Sequence, residues 1–437
     1  MRASLVLAGA LVWVTAGVSS PDRATAQAPL SAAEQAIVRY IDEHQDEAIA
    51  LLERVVNINS GTQHLAGVRA VGDVFRAEFD GLGFQTEWVD GAGWQRAGHL
   101  VATHAGPGPK VLLIGHLDTV FEADSPFQRF ERIDEATARG PGIIDMKGGD
   151  VIIVQALKAL RAAGLLSPMH VVVVMTGDEE APGRPLSRSR AALVEAARGA
   201  AIAMGFEDGD GSPARAVVAR RGTTSWRLAV TGTPAHSSVI FSESVGAGAI
   251  FEAARFLNAF RERLAGEPFL TFNPGVVVAG TAVDFDPVQA RGSAFGKTNV
   301  VAEHAVVSGD LRALTPGQFE RARAAMQEIA GAGLARTSAT LTFDEGYPPL
   351  APTAGNERLL GLFDRASRDL GLGPVAPVSP DRAGAADVSF VAGHVPMIMD
   401  AAGLKGRDGH TVNETADLAV LAVQAKRAAV TLARIRP

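Results

Sequence analysis

The sequence predicts an α/β protein: a mostly parallel sheet with helices on both faces, interrupted by an inserted α+β lid/dimerisation domain. Three observations carry that reading. Residues 111–114, 171–175 and 202–206 are short and almost wholly apolar, as strands buried on both faces must be. Helical patterns alternate with them, the order expected of a parallel sheet. After Ala219 the texture changes to alternating segments, and it changes back near residue 345.

The elements follow in chain order. Arg2 precedes an apolar run at 5–18, shorter than the ~20 residues that span a bilayer, and Ala26-Gln27-Ala28 is a small-x-small cleavage pattern. Residues 1–28 therefore read as a signal peptide, and the mature chain is expected to be secreted, in the periplasm, with no membrane contact after cleavage. Residues 31–56 carry apolar side chains at helical spacing behind a Ser31/Glu34 capping box. A second helix is expected at 66–80, and a third at 151–163 between the strands 111–114 and 171–175. The insert reads as strand 223–231, helix 247–264, a strand within 300–311, helix 316–330 and strand 339–343. Helix 356–370, a short strand at 397–399 and a last helix at 415–435 complete the interrupted domain. The expected divisions are 1–28, 29–219, 220–344 and 345–437.

Composition narrows the function. The chain has 437 residues, 47% hydrophobic and 20% charged, enough to bury a large core. A net charge of −7 argues against nucleic acid as partner, which needs clustered Lys and Arg. The absence of cysteine removes disulfides, zinc fingers, iron–sulfur clusters and thiol nucleophiles together. There is no Gly-x-Ser-x-Gly elbow and no Gly-x-Gly-x-x-Gly fingerprint. Phe295-Gly296-Lys297-Thr298 ends like a P-loop, but position 291 is Arg where that motif needs Gly.

The residues with chemistry follow the buried strands, where open α/β sheets bind ligands. They are Gly115-His116-Leu117-Asp118-Thr119; Asp145 in a Gly-rich turn before a helix; Gly177-Asp178-Glu179-Glu180; Glu207, with Asp208 beside it; and Gly409-His410-Thr411. Asp118, two positions after His116, is placed to support the back of that ring. Imidazole with carboxylate suits zinc, and also cobalt or manganese. A carboxylate shared by two ions, with one His and one Glu for each, makes a two-metal centre. Of the adjacent Glu179 and Glu180, one can ligate while the other takes a proton from water. Glu414 reads as a capping-box partner of Thr411.

Together, His116-Leu117-Asp118-Thr119-Val120, the segment Arg139-Gly140 through Asp145-Met146-Lys147-Gly148-Gly149, Gly177-Asp178-Glu179-Glu180 and the late His410 resemble the di-zinc exopeptidase and deacylase family that includes bacterial glutamate carboxypeptidase, aminoacylase and succinyl-diaminopimelate desuccinylase. The resemblance covers essentially the whole mature chain. It implies two Zn2+ per chain, one held by His116, Asp145 and Glu207 and the other by His410, Asp145 and Glu180, with Asp145 bridging. It implies Glu179 as general base and acid, Asp118 behind His116, and a cis peptide after Asp145. The insert resembles that family's lid, through which a homodimer forms. His236, in Thr231-Gly232-Thr233-Pro234-Ala235-His236, is similar to a His that reaches a neighbouring active site. Asn299 matches a substrate-binding Asn, Arg312 the Arg of an Asp-x-Arg, and Gly384 the start of a loop usually written Gly-Gly-x-Asp.

The function so implied is hydrolysis of an amide bond in a small peptide by a carboxypeptidase-like or dipeptidase-like exopeptidase. An N-acyl amino acid deacylase is the alternative within the enzyme class, and a catalytically inactive binding protein of the same fold the alternative outside it. One departure bears on substrate. Glutamate carboxypeptidases have Arg before Pro where the lid ends, and this chain has Glu345-Gly346-Tyr347-Pro348. Arg382 is a second candidate for a substrate carboxylate, or a surface residue. Arg312 has the like alternative of pairing with Asp310.

Overall fold

The computed structural model describes residues 29–435, so the signal peptide expected at 1–28 lies outside the described residues. Three helices open the described chain: α1 (Ala32–Glu43), α2 (Gln45–Val56) and α3 (Leu65–Gly81). The capping box forms, with the Glu34 amide on Ser31 Oγ (3.3 Å) and the Ser31 amide on Glu34 Oε2 (2.7 Å). The segment 31–56, expected as one helix, is two. The break falls at His44, which leaves the helical region (φ −116°, ψ 23°) while its ring donates to the Tyr40 carbonyl (2.8 Å) and stacks on the Tyr40 ring.

The main sheet of this domain takes five strands from the next stretch of chain: β1 (Gln85–Asp90), β2 (Gly98–His104), β3 (Lys110–His116), β4 (His170–Thr176) and β5 (Ala200–Gly205). The sheet order is β1-β2-β4-β3-β5, with the short strand Ile398–Met399 at the far edge. β3 runs parallel to β4 and β5, and Ile398–Met399 runs parallel to β5. β1 and β2 form an antiparallel edge that the sequence reading did not include. β1, Gln-Thr-Glu-Trp-Val-Asp, has no apolar run to betray it because it faces solvent along much of its length.

The apolar runs divide residue by residue between two faces. Val111, Leu113, Val171, Val173, Ile202 and Met204 enter the core covered by α1–α3, α4 (Gly148–Ala162) and the last helix, Leu418–Ala433. Leu112, Ile114, Val172, Val174 and Ala203 enter the opposite core, covered by Leu193, Val388 and Val391. Each such buried Leu or Ile stabilises the fold by ~1.5–3 kcal/mol.

The insert has its own antiparallel sheet of β6 (Gly222–Gly232), β7 (Thr271–Gly280), β8 (His304–Ala313) and β9 (Thr337–Phe343), in the order β7-β8-β6-β9. Helices α5 (Gly248–Leu264) and α6 (Pro316–Gly331) share a core with Trp226, Leu228, Val230 and Val307. β7 and the hairpin Ala282–Asp286/Arg291–Phe295 were not expected, because their residues are mostly exposed and show no buried run. The last helix starts at Leu418, later than expected. Asp417 caps it by accepting from the Ala419 amide, and Thr415–Asp417 is a strand. No helix among the described residues is long and apolar enough to cross a membrane.

Candidate metal centre

The side chains of interest gather at the carboxyl ends of β3, β4 and β5. His116 ends β3, Glu179 and Glu180 lie in the turn after β4, and Glu207 lies two residues beyond β5. Asp145 sits in the tight turn that leads into α4, and the Asp145–Met146 peptide is cis. His410 arrives from 265 residues away by a small sheet. Its loop joins Gly406–Arg407 to Thr415–Asp417, and the latter pairs with Thr137–Arg139, the strand that runs into the Asp145 turn. His410 itself takes φ 63°, the left-handed region that His enters more readily than most residues.

Two groups result, and both contain Asp145. His116, Asp145 and Glu207 offer ligand atoms within 4.8 Å of one another, as do Asp145, Glu180 and His410. His116 Nε2 is 3.1 Å from Asp145 Oδ1 and 3.5 Å from Glu207 Oε1. His410 Nε2 is 2.8 Å from Asp145 Oδ2 and 3.2 Å from Glu180 Oε2. Of Glu207 and Asp208, between which the sequence left a choice, Glu207 belongs to one of these groups and Asp208 to neither.

Asp118, fully buried, accepts from His116 Nδ1 at its backbone carbonyl (3.1 Å), its carboxylate lies 3.5 Å from the same nitrogen, and it holds more than that ring. Its carboxylate accepts from Thr62 Oγ1 (2.6 Å), the Glu179 amide (2.9 Å) and the Glu180 amide (3.1 Å). One aspartate thus fixes the tautomer-bearing nitrogen of His116 and the peptides of both glutamates.

Five carboxylates and two imidazoles crowd this space, and their proton affinities record it. Burial first, then the charge of Asp145, pushes Glu207 up to about 8. Burial raises Glu179 well above the usual carboxylate range, with His116 opposing and Asp387, Glu207 and Glu180 reinforcing. Hydrogen bonds to Asp145 and Glu180 lift His410 to about 11. Burial opposes the charge on Asp145, yet hydrogen bonds from His116 and His410 hold its carboxyl well below the usual range. Glu180 Oε1 is buried with no hydrogen-bond partner.

The other expected residues lie outside both groups. His236 and Asn299 are exposed but near each other in the lid, where the Ser237 amide donates to the Asn299 carbonyl (2.9 Å). Arg312 pairs with Asp310 (2.9 Å), the alternative noted for it. Arg382 lies 3.4 Å from Asp210, and the Gly384 carbonyl accepts from Arg220 (2.7 Å).

Glu414 is the residue that the sequence reading misjudged. It is fully buried, and its carboxylate accepts from the amides of Gly142 (3.1 Å), Ile144 (2.9 Å) and Asp145 (3.3 Å). No helix starts at Thr411, so the carboxylate is free to bind the Asp145 turn instead of closing a cap. Only a contact 270 residues apart reveals this, and no local pattern carries it.

A model described as "Peptidase family M20/M25/M40" matches residues 112–434. Carboxypeptidase G2 from Pseudomonas sp. (strain RS-16) is 25% identical over 379 residues, 84% of each chain. The crystal structure of aminopeptidase PepT from Bacillus cereus superposes with a TM-score of 0.71 at 21% identity, covering 89% of this chain and 98% of that one. A dinuclear metal-binding peptidase of the M20 family from Bacillus subtilis superposes with a TM-score of 0.61 at 15% identity, covering 90% and 98%. The two structural likenesses show the shared fold.

Proposed function

The chain belongs to peptidase family M20/M25/M40, and on that footing we propose that it cleaves a terminal amide bond of a small peptide, as a carboxypeptidase or dipeptidase does, with two zinc ions at the centre. One observation carries the reading: the two oxygens of Asp145 are divided between His116 and His410, and each histidine has its own glutamate. The donor set fits divalent zinc, with cobalt or manganese as substitutes. The surplus of carboxylate over imidazole fits cations as well.

His116, Asp145 and Glu207 would hold one ion, and Asp145, Glu180 and His410 the other. When bound, such a pair supplies Lewis acidity toward the scissile carbonyl and lowers the pKa of water toward ~7. The chain's own residues supply the rest. Glu179, its peptide pinned by Asp118, takes the proton of the attacking water and returns it to the leaving amine. Glu414 holds the Asp145 turn through three amides. His236 is assigned to the substrate carbonyl of a neighbouring subunit. Support for a homodimer comes from exposed Val239, Phe241, Ile250 and Phe251 in the lid, with the Phe241 and Phe251 rings 5.6 Å apart. The leader-like segment 1–28 supports export to the periplasm. Tyr347 before Pro348, in place of Arg, argues against a preference for glutamate.

Elemental analysis of the purified protein, followed by a screen of dipeptides and N-acetyl amino acids on the same sample, tests the reading. Two metal ions per chain and turnover of dipeptides are expected, with Glu179→Gln abolishing turnover while keeping both ions. Full turnover by that variant removes Glu179 from the mechanism. Cleavage confined to N-acetyl amino acids makes the protein a deacylase. A metal-loaded protein that cleaves neither class returns it to a binding role.

A further inference from the structure

The lid is joined to the catalytic domain by two antiparallel segments, 220–223 leaving and 347–350 returning. The Leu350 amide donates to the Arg220 carbonyl (3.0 Å) and the Thr223 amide to the Tyr347 carbonyl (3.0 Å). Tyr347 stands where this hinge touches the turn after β4. Its hydroxyl donates to the Glu179 carbonyl (2.9 Å) and accepts from Arg190 Nη2 (2.9 Å). Arg190, 1% exposed, directs three further hydrogen bonds at the same turn and the loop beside it, and a fourth at Ser189 Oγ (3.2 Å). It donates to the Asp178 carboxylate (2.6 Å), the Asp178 carbonyl (2.9 Å) and Asp387 (2.7 Å), and Asp387 also accepts from Thr176 (2.6 Å). Glu345, two residues ahead in the hinge, accepts from the Leu186 amide (2.9 Å). Directly outside this junction a cavity of about 780 Å³ opens between the two domains, lined by Leu186, Arg190, Val194, Arg323, Phe343 and Phe390.

We propose that Tyr347 is a positioning residue: with Arg190 it fixes the peptide that bears Glu179 and couples that peptide to the hinge of the lid. The chemistry explains why a tyrosine stands here. A phenol accepts from a guanidinium and donates to a carbonyl at once, at the end of a ring that packs 4.8 Å from Phe390. Phenylalanine keeps the ring and takes these partners from both the Arg190 proton and the Glu179 carbonyl, in a part-buried place. The inference rests on the reading of Glu179 as general base.

The test is Tyr347→Phe in the full, metal-loaded chain, assayed with the fastest substrate of the dipeptide and N-acetyl panel. The expected result is a fall in kcat of ~10-fold or more, with KM within about twofold and metal content unchanged, because substrate and ion contacts are kept. Amide hydrogen exchange, which needs no substrate, is expected to quicken ~10-fold in 178–184 and 345–349 together while 171–175 stays protected. Arg190→Lys, which keeps the charge but loses the fork, is expected to move the same two segments. Unchanged kcat, or exchange that quickens in neither segment, overturns the proposal. Full turnover by Glu179→Gln overturns the functional reading instead, and an inactive Glu179→Gln beside a fully active Tyr347→Phe overturns only this inference.

Discussion

The catalytic sheet and the lid sheet spend their side chains differently. Along β3 and β4 every second residue enters one core and its neighbours enter another, so the strands have no free face. Along β6, Trp226, Leu228 and Val230 are buried while Ser225 and Thr231 are exposed. A strand buried twice can present chemistry only where it ends, and His116, Glu179 and Glu207 stand at three such ends. A strand buried once leaves a face for something outside the domain, and the lid's exposed His236 and Asn299 belong to that half of the molecule. The division of labour follows from the burial pattern.

The sharpest test of this contrast is a pair of truncations in each sheet. Leu112→Ala and Leu113→Ala lie side by side on opposite faces of β3, and both residues are fully buried. Each is expected to cost ~2–5 kcal/mol in urea unfolding. In the lid, Leu228→Ala is expected to cost as much, whereas Ser225→Ala on the same strand stays within ~0.5 kcal/mol. A cheap substitution at either Leu112 or Leu113 breaks the two-core description.

The same contrast explains what was legible in the sequence. Runs such as Val-Leu-Leu-Ile and Val-Val-Val-Val announce strands with no ambiguity of face, and the chemistry at their ends is found by looking just past them. Lid strand β7 and edge strand β1 are half-exposed and mixed in composition, so neither stands out from loop. The break at His44 rests on one residue's non-helical dihedrals, beside a side-chain bond to the Tyr40 carbonyl, and is invisible to periodicity. Within the centre, the ligand types and their order along the chain were readable. The supports were not: Glu414 acts on a turn 269 to 272 residues away, and Tyr347 meets Arg190 and Glu179 across 157 and 168 residues.

Glu414→Gln probes such a support at the catalytic edge. Burial raises the Glu414 carboxyl to about 8, with the charge of Asp145 adding and the backbone amides opposing. The amide side chain is nearly isosteric but offers one acceptor oxygen to three backbone donors. Metal affinity is expected to fall ~10-fold, read by competition with a chelator, while unfolding in the metal-free state shifts little. An unchanged affinity confines Glu414 to a role in folding.

The smallest effect belongs to the lid, and it is one that pH reveals. Glu252, fully buried in α5, accepts from Arg255 Nε (2.7 Å) and Nη2 (2.9 Å) and from the Leu334 amide (2.8 Å). Burial alone would raise its carboxyl, but the Arg255 and Leu334 hydrogen bonds outweigh it and hold the pKa below the ordinary 4.5. A carboxyl whose folded value is depressed stabilises the fold above its unfolded value and stops doing so as pH falls through the folded one. Glu252→Gln is therefore expected to cost ~1 kcal/mol at pH 7, and the gap in Tm between wild type and variant should narrow steadily below pH 4.5. A gap of the same size at pH 7 and pH 3 would assign the loss to packing at the end of the lid helix and leave ionisation of Glu252 with no part in it.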